Sequence, residues 1–134
     1  MGGAEKAGAV VLLNDLDTTL RNAGLAVTEA SGWKGHNHGS LSAVQAVIIH
    51  HTATSAAAAG DYPSLGIVRN GRSDLAGPLA QLGAGRSGRM YVISNGVAWH
   101  AGATRATYQN NYHSIGIEVE SPGNGTPWPL PQVH

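Results

Sequence analysis

Imidazoles and one pair of carboxylates carry the chemistry open to this sequence. His50 and His51 are adjacent and precede Thr52, His100 stands within Trp99-His100-Ala101-Gly102, and His113 shortly precedes Glu118 and Glu120. The chain holds seven His and no Cys, which excludes thiolate nucleophiles, disulfides and Cys-based zinc sites together. Neutral imidazole nitrogen is a good zinc ligand, and a catalytic zinc takes three protein ligands while a fourth position stays open for water. The competing account is plainer. One of two adjacent histidines at a strand end can simply be hydrogen-bonded, and no H-E-x-x-H pair is present. His100 and His113 can equally be packed or surface imidazoles. Glu118 lies among Ile115-Gly116-Ile117, where burial would raise its pKa and suit it to move protons, unless it is a solvated carboxylate on a half-exposed strand. Gly85-Arg86-Ser87-Gly88 lacks the glycine spacing of a serine-hydrolase elbow and reads as a turn.

Positioning these groups falls to the elements around them. Val47-Ile48-Ile49 is β-branched without alternation, which predicts a central strand from Val44 to His50, buried on both faces, with His50 at its end. Ile115, Ile117 and Val119 alternate with Gly116, Glu118 and Glu120, so a strand from Ser114 to Glu120 sends both carboxylates to one face. Val10, Leu13, Leu16 and Leu20 recur at helical spacing and predict an amphipathic helix from Ala9 to Asn22, ended by Gly24. Leu25 to Thr28 reads as a short strand and Ser31 to Ser42 as a loop. The Ala- and Gly-rich stretch from Thr52 to Asp61 leads into a short helix over Pro63 to Arg69. Apolar runs at Leu79 to Leu82, Met90 to Ile93 and Val97 to Trp99, separated by Ser87-Gly88 and Asn95-Gly96, predict a β-meander.

These elements amount to one α/β domain, since 134 residues and 13.7 kDa suffice for a single modest core. Residues 1–30 supply the N-terminal helix and strand, 31–120 the core motifs, and 121–134 a Pro-rich tail. Eight Lys and Arg balance eight Asp and Glu, and only 12% of residues are charged. That composition leaves no electrostatic footprint for nucleic acid or an anionic membrane surface. No apolar stretch has the length of a signal-peptide core near Met1 or of a membrane span elsewhere. The expectation is therefore cytoplasmic synthesis, with any action outside the cell depending on another route of export.

Five blocks in order carry a family likeness: Val47-Ile48-Ile49-His50-His51-Thr52-Ala53, Gly77-Pro78-Leu79-Ala80-Gln81, Gly85 to Ile93, Ala98-Trp99-His100-Ala101-Gly102, and Ser114 to Glu120. Together they resemble the zinc-dependent N-acetylmuramoyl-L-alanine amidases, whose relatives include phage endolysins and peptidoglycan recognition proteins. The Gly77 block, with the helix before it, is similar to endolysins of phages that infect actinobacteria. The resemblance implies a mixed central sheet flanked by helices. It also implies bacterial peptidoglycan as partner and hydrolysis of the amide between muramic acid and the first L-alanine of the stem peptide. In it, His50 corresponds to a Zn2+ ligand, Glu118 to the acid that assists the metal-bound water, and His100 to a groove position. Trp99, His51 and Asn111 are expected to line the same groove. Zinc in such a site lowers the pKa of bound water from about 15.7 to about 7. The family's second and third ligands follow the acidic strand, and the sequence reaches His134 before such a segment. The resemblance therefore implies an incomplete domain rather than substitution by His51, His113 or His134. A non-catalytic peptidoglycan-binding module is the alternative.

Overall fold

The chain forms a five-stranded mixed sheet with short helices, in a computed structural model that describes residues 11–102 and 109–124. In chain order the elements are α1 (Leu16–Asn22), β1 (Val27–Glu29), β2 (Ala46–His51), α2 (Leu65–Asn70), β3 (Gly71–Arg72), β4 (Leu75–Ala76), β5 (Leu82–Ala84), β6 (Met90–Val92) and β7 (Ser114–Val119). The sheet order is β1-β6-β5-β7-β2. Every neighbouring pair is parallel except β5 with β6, and β3 and β4 form a separate antiparallel hairpin. This is the α/β architecture with a mixed central sheet that the sequence predicts.

Alternation along the strands divides the core into two layers, one on each face of the sheet. On one face Leu16 and Leu20 of α1 pack with Val27, Met90, Val92, Leu82, Ile115 and Ile117 around Trp33. On the other, Val68 of α2 joins Tyr62, Leu79, Ala80 and Ile93, with Tyr91 against them. Gly83 permits this second layer to close, because the Tyr62 ring lies where its Cβ would be. Glu118 of β7, His50 of β2 and the His100 ring belong to the α2 face.

Several expectations change in the folded chain. The Val44 to His50 strand is not central: among the described residues β2 pairs with β7 alone and forms the sheet edge. Its side chains alternate between half-buried and exposed, with Val47 56% and Ile49 67% exposed. The sheet order explains this. Helix α1 covers β1 and β6 at the opposite end of the sheet, so its apolar stripe does not reach β2. The N-terminal helix is also shorter than predicted. It starts at Leu16, because Val11 bridges Leu41 and the amide of Leu13 donates to the Asn95 carbonyl; Ala9 and Val10 lie outside the described residues. The β-meander reduces to the β5–β6 hairpin around Ser87-Gly88, with Gly88 at φ 87°. Residues 93–98 run as buried irregular chain, and Trp99 follows half-buried. Their Asn95-Gly96 pair is held from the side: Gln81 donates to the Gly96 carbonyl, and the Asn95 side chain bonds Asn14 and Asn37.

Candidate active site

The parallel pairing of β2 with β7 sets His50 opposite Glu118 and Ile48 opposite Gly116. Register partners on adjacent strands share a face, so the imidazole and the carboxylate emerge side by side. His100 reaches the same face from the loop after Trp99. Its ring lies over Gly116, where a Cβ would come within 2.5 Å of the ring carbon Cγ. Glycine is thus what lets β7 pass beneath an imidazole.

Hydrogen bonds define the His100 tautomer. Nε2 faces the Ser114 carbonyl at 3.3 Å and Ser114 Oγ at 3.2 Å, while that hydroxyl donates to the Asn110 carbonyl at 2.7 Å. Two acceptors toward Nε2 require that it carry the proton, which leaves Nδ1 bare. Nδ1 lies 3.4 Å from Nε2 of His50, and the rings meet edge to face with centroids 5.6 Å apart. Asn111 fixes the backbone beneath: its side-chain carbonyl accepts from the amides of both His100 and Ala101, at 2.9 and 2.8 Å.

Burial sets the charge state of these groups. His100 is pushed down to about 4, chiefly by desolvation, and His50 is lowered by its own burial and then by the neighbouring His51. Both imidazoles are therefore neutral near neutral pH. Glu118 moves the other way, pushed up to about 7 by burial first and by the negative charge of Glu120 second. A carboxyl poised there exchanges a proton in either direction at physiological pH.

The groove around Glu118 has two lobes. The larger, about 370 Å³, runs between the exit of β2 (Thr52 and Thr54) and the head of α2 (Ser64, Ile67). The smaller, about 300 Å³, is lined by Trp99, His100, Ala101 and Gly102. Arg72, Leu79 and Glu118 border both. Trp99 is backed by the His38 ring, stacked at 4.1 Å, and edged by Tyr112. His51 alternates away from His50 and packs its ring against Gly123, although the residue also borders the larger lobe. His113 does not reach the groove. It precedes the first residue of β7, about 16 Å of strand from Glu118, and its Nδ1 bonds Asn110.

The sequence profile of the N-acetylmuramoyl-L-alanine amidases matches residues 40–134, which include every strand and loop of this groove. The chain belongs to the N-acetylmuramoyl-L-alanine amidase family. No curated protein and no solved structure gives a significant match.

Amidases of this family are generally zinc-dependent, which makes the donor set of this amidase-family chain a test of fit. His50 has the neutral, half-buried imidazole that a ligand needs. Among the described residues, however, no three His, Asp or Glu side chains lie close enough to share an ion. The described part of the amidase fold thus offers an incomplete ligand set. Three further groove residues escaped the sequence reading. Arg72 sits in an unremarkable Gly-Arg-Ser-Asp turn, and Ser64 and Thr54 meet only through tertiary contact; the one available signal was the spacing of Glu118 from Glu120.

Proposed function

We propose that this chain hydrolyses the amide joining the lactyl group of N-acetylmuramic acid to the first L-alanine of the peptidoglycan stem peptide. The observation that supports this reading is the same-face pairing of His50 with Glu118, in a groove where Glu118 has a proton affinity near neutrality. Glu118 takes a proton from the attacking water as its oxygen bonds to the scissile carbonyl carbon. It returns that proton to the alanine nitrogen as the carbon–nitrogen bond breaks, leaving a lactyl carboxylic acid and a free amine. Proton shuttling of this kind contributes about 10²–10⁴-fold. His100, locked by Gly116 and Ser114, shapes the side of the groove toward Trp99, and Asn111 holds its loop. Trp99 and His51 supply contact surface for sugar and peptide.

In this proposal His50 is one zinc ligand, and zinc when bound supplies water activation and carbonyl polarisation. An endolysin role, in which the chain is the catalytic part of a phage lysis enzyme acting at the cell wall, follows from the same resemblance. A second reading is favoured by the incomplete ligand set among the described residues: a module that holds peptidoglycan in the groove without cleaving it. Incubating the chain with purified peptidoglycan, with and without added zinc, separates them. New amino termini on L-alanine, detected by mass spectrometry and lost with chelator, support the amidase. Retention on peptidoglycan with no new termini supports the binding module.

A further inference from the structure

Glu120 is a carboxylate only 1% exposed, just past the end of β7 and two residues beyond Glu118. Oε1 accepts the backbone N–H of Ser64 at 2.9 Å, and Oε2 accepts the hydroxyls of Thr52 at 2.8 Å and Ser64 at 2.9 Å. Behind them, Thr54 Oγ1 lies 2.6 Å from Ser64 Oγ, and the amide of Ser121 donates to Thr52 Oγ1 at 3.2 Å. With Glu120 ionised, Ser64 gives its hydroxyl proton to Glu120, so Thr54 donates to Ser64; Thr52 gives its proton to Glu120, with the Ser121 carbonyl a longer second acceptor at 3.3 Å, while accepting from the Ser121 amide.

We propose that Glu120 is the positioning residue of the larger groove lobe, fastening the exit of the His50 strand to the first turn of α2 and so fixing the width in which substrate lies beside Glu118. Thr52, Thr54 and Ser64 all line that lobe, on walls contributed by two separate elements, and Glu120 joins those walls. A buried carboxylate is a costly choice where a purely structural tie would serve, and hydrogen bonds to a charged acceptor are stronger and shorter than neutral ones. Glutamine fits poorly. Its amide at the Oε1 position would face the Ser64 N–H donor to donor, and at the Oε2 position it would force the hydroxyls to reverse.

The inference rests on the proposed amidase reading and is tested with muramyl dipeptide, following both its cleavage and its binding. Glu120→Gln and Thr52→Val should each raise KM and the dissociation constant about tenfold, the size expected for one lost charge-assisted bond. The turnover number should stay within about threefold. Because the two residues share one network, the double variant should be no worse than the worse single one. If Glu120→Gln does not fold, Thr52→Val alone carries the comparison. A lowered unfolding midpoint with KM and binding unchanged well below that temperature, or additive losses in the double variant, overturns the positioning role. Wild-type protein that binds the dipeptide while the variants bind it equally well overturns this inference alone. Wild-type protein that neither binds nor cleaves overturns the amidase reading together with it.

Discussion

His50 and Glu118 are register partners on adjacent parallel strands, so one imidazole and one carboxylate leave the same face of the sheet at the same level. The pairing is secured by the ladder itself. A one-residue slip of β2 against β7 would turn His50 to the opposite face and leave Glu118 beside Ile49 or His51.

Replacing Glu118 by Gln keeps the shape of the side chain and removes its capacity to accept a proton. Turnover on muramyl dipeptide should fall at least about a hundredfold with the fold retained, as measured by steady-state kinetics beside circular dichroism. Turnover within a few-fold of wild type would take Glu118 out of the mechanism.

The pH profile follows from the same carboxyl. Glu118 must be ionised to accept the water proton, and its proton affinity sits at about 7, so kcat/KM should fall about tenfold per pH unit below 7 and level off above it. His100 protonates only near 4 and adds no limb between pH 5 and 8. Stability should move in the opposite sense to activity over part of this range. The folded-state value lies above the ordinary 4.5, so the unfolded chain loses the Glu118 proton first and its contribution to stability declines from about pH 4.5 to 7. A rate profile bending at 4.5 would mean that Glu118 is solvated rather than buried.

Gly116 gives a prediction in which packing and function move together. Alanine there places a methyl group 2.5 Å from His100 Cγ, and the strand cannot yield without disturbing its pairing with β2 and β5. Gly116→Ala should cost about 1–3 kcal/mol in chemical denaturation and also lower activity by displacing the imidazole. A variant with wild-type stability would show that the ring moves aside freely.

The edge position of β2 predicts tolerance where a central strand would show none. Ile49→Thr removes apolar atoms that are already mostly in water, and its effect on unfolding free energy should stay within about 0.5 kcal/mol. A loss of 2 kcal/mol or more in urea titration would mean that this face is covered in solution.

Zinc binding can be read without turnover. If His50 is a ligand, His50→Ala should lower the zinc retained after dialysis, measured by elemental analysis, while the midpoint of thermal unfolding without metal is unchanged. Equal zinc in both proteins would place the metal elsewhere.

The sequence by itself settled the residue types and their local geometry. The absence of Cys left imidazole and carboxylate as the chemistry, and the alternation from Ile115 to Glu120 indicated a strand, which the fold forms over Ser114–Val119 with Glu118 inside it and Glu120 just past its end. The five ordered blocks indicated the family. These features are local or linear, and the chain states them directly. Sequence reading failed on β2, because Val47-Ile48-Ile49 looks the same at an edge as at a center; which it becomes depends on the strand order, which sets β2 beside β7 at the end of the described sheet. It also mistook Asn95-Gly96 for a hairpin, since the backbone there is satisfied by distant segments instead of a strand partner: the Gln81 side chain donates to the Gly96 carbonyl, Leu13 N–H donates to the Asn95 carbonyl, and Val97 N–H donates to the Gly39 carbonyl. Tertiary structure alone decided that Gly116 makes room for His100 and that Glu120 gathers hydroxyls from residues 52 and 64. The physical reason is that close contact and burial are properties of side chains distant in sequence. No spacing along the chain encodes which atoms will share the same few ångströms.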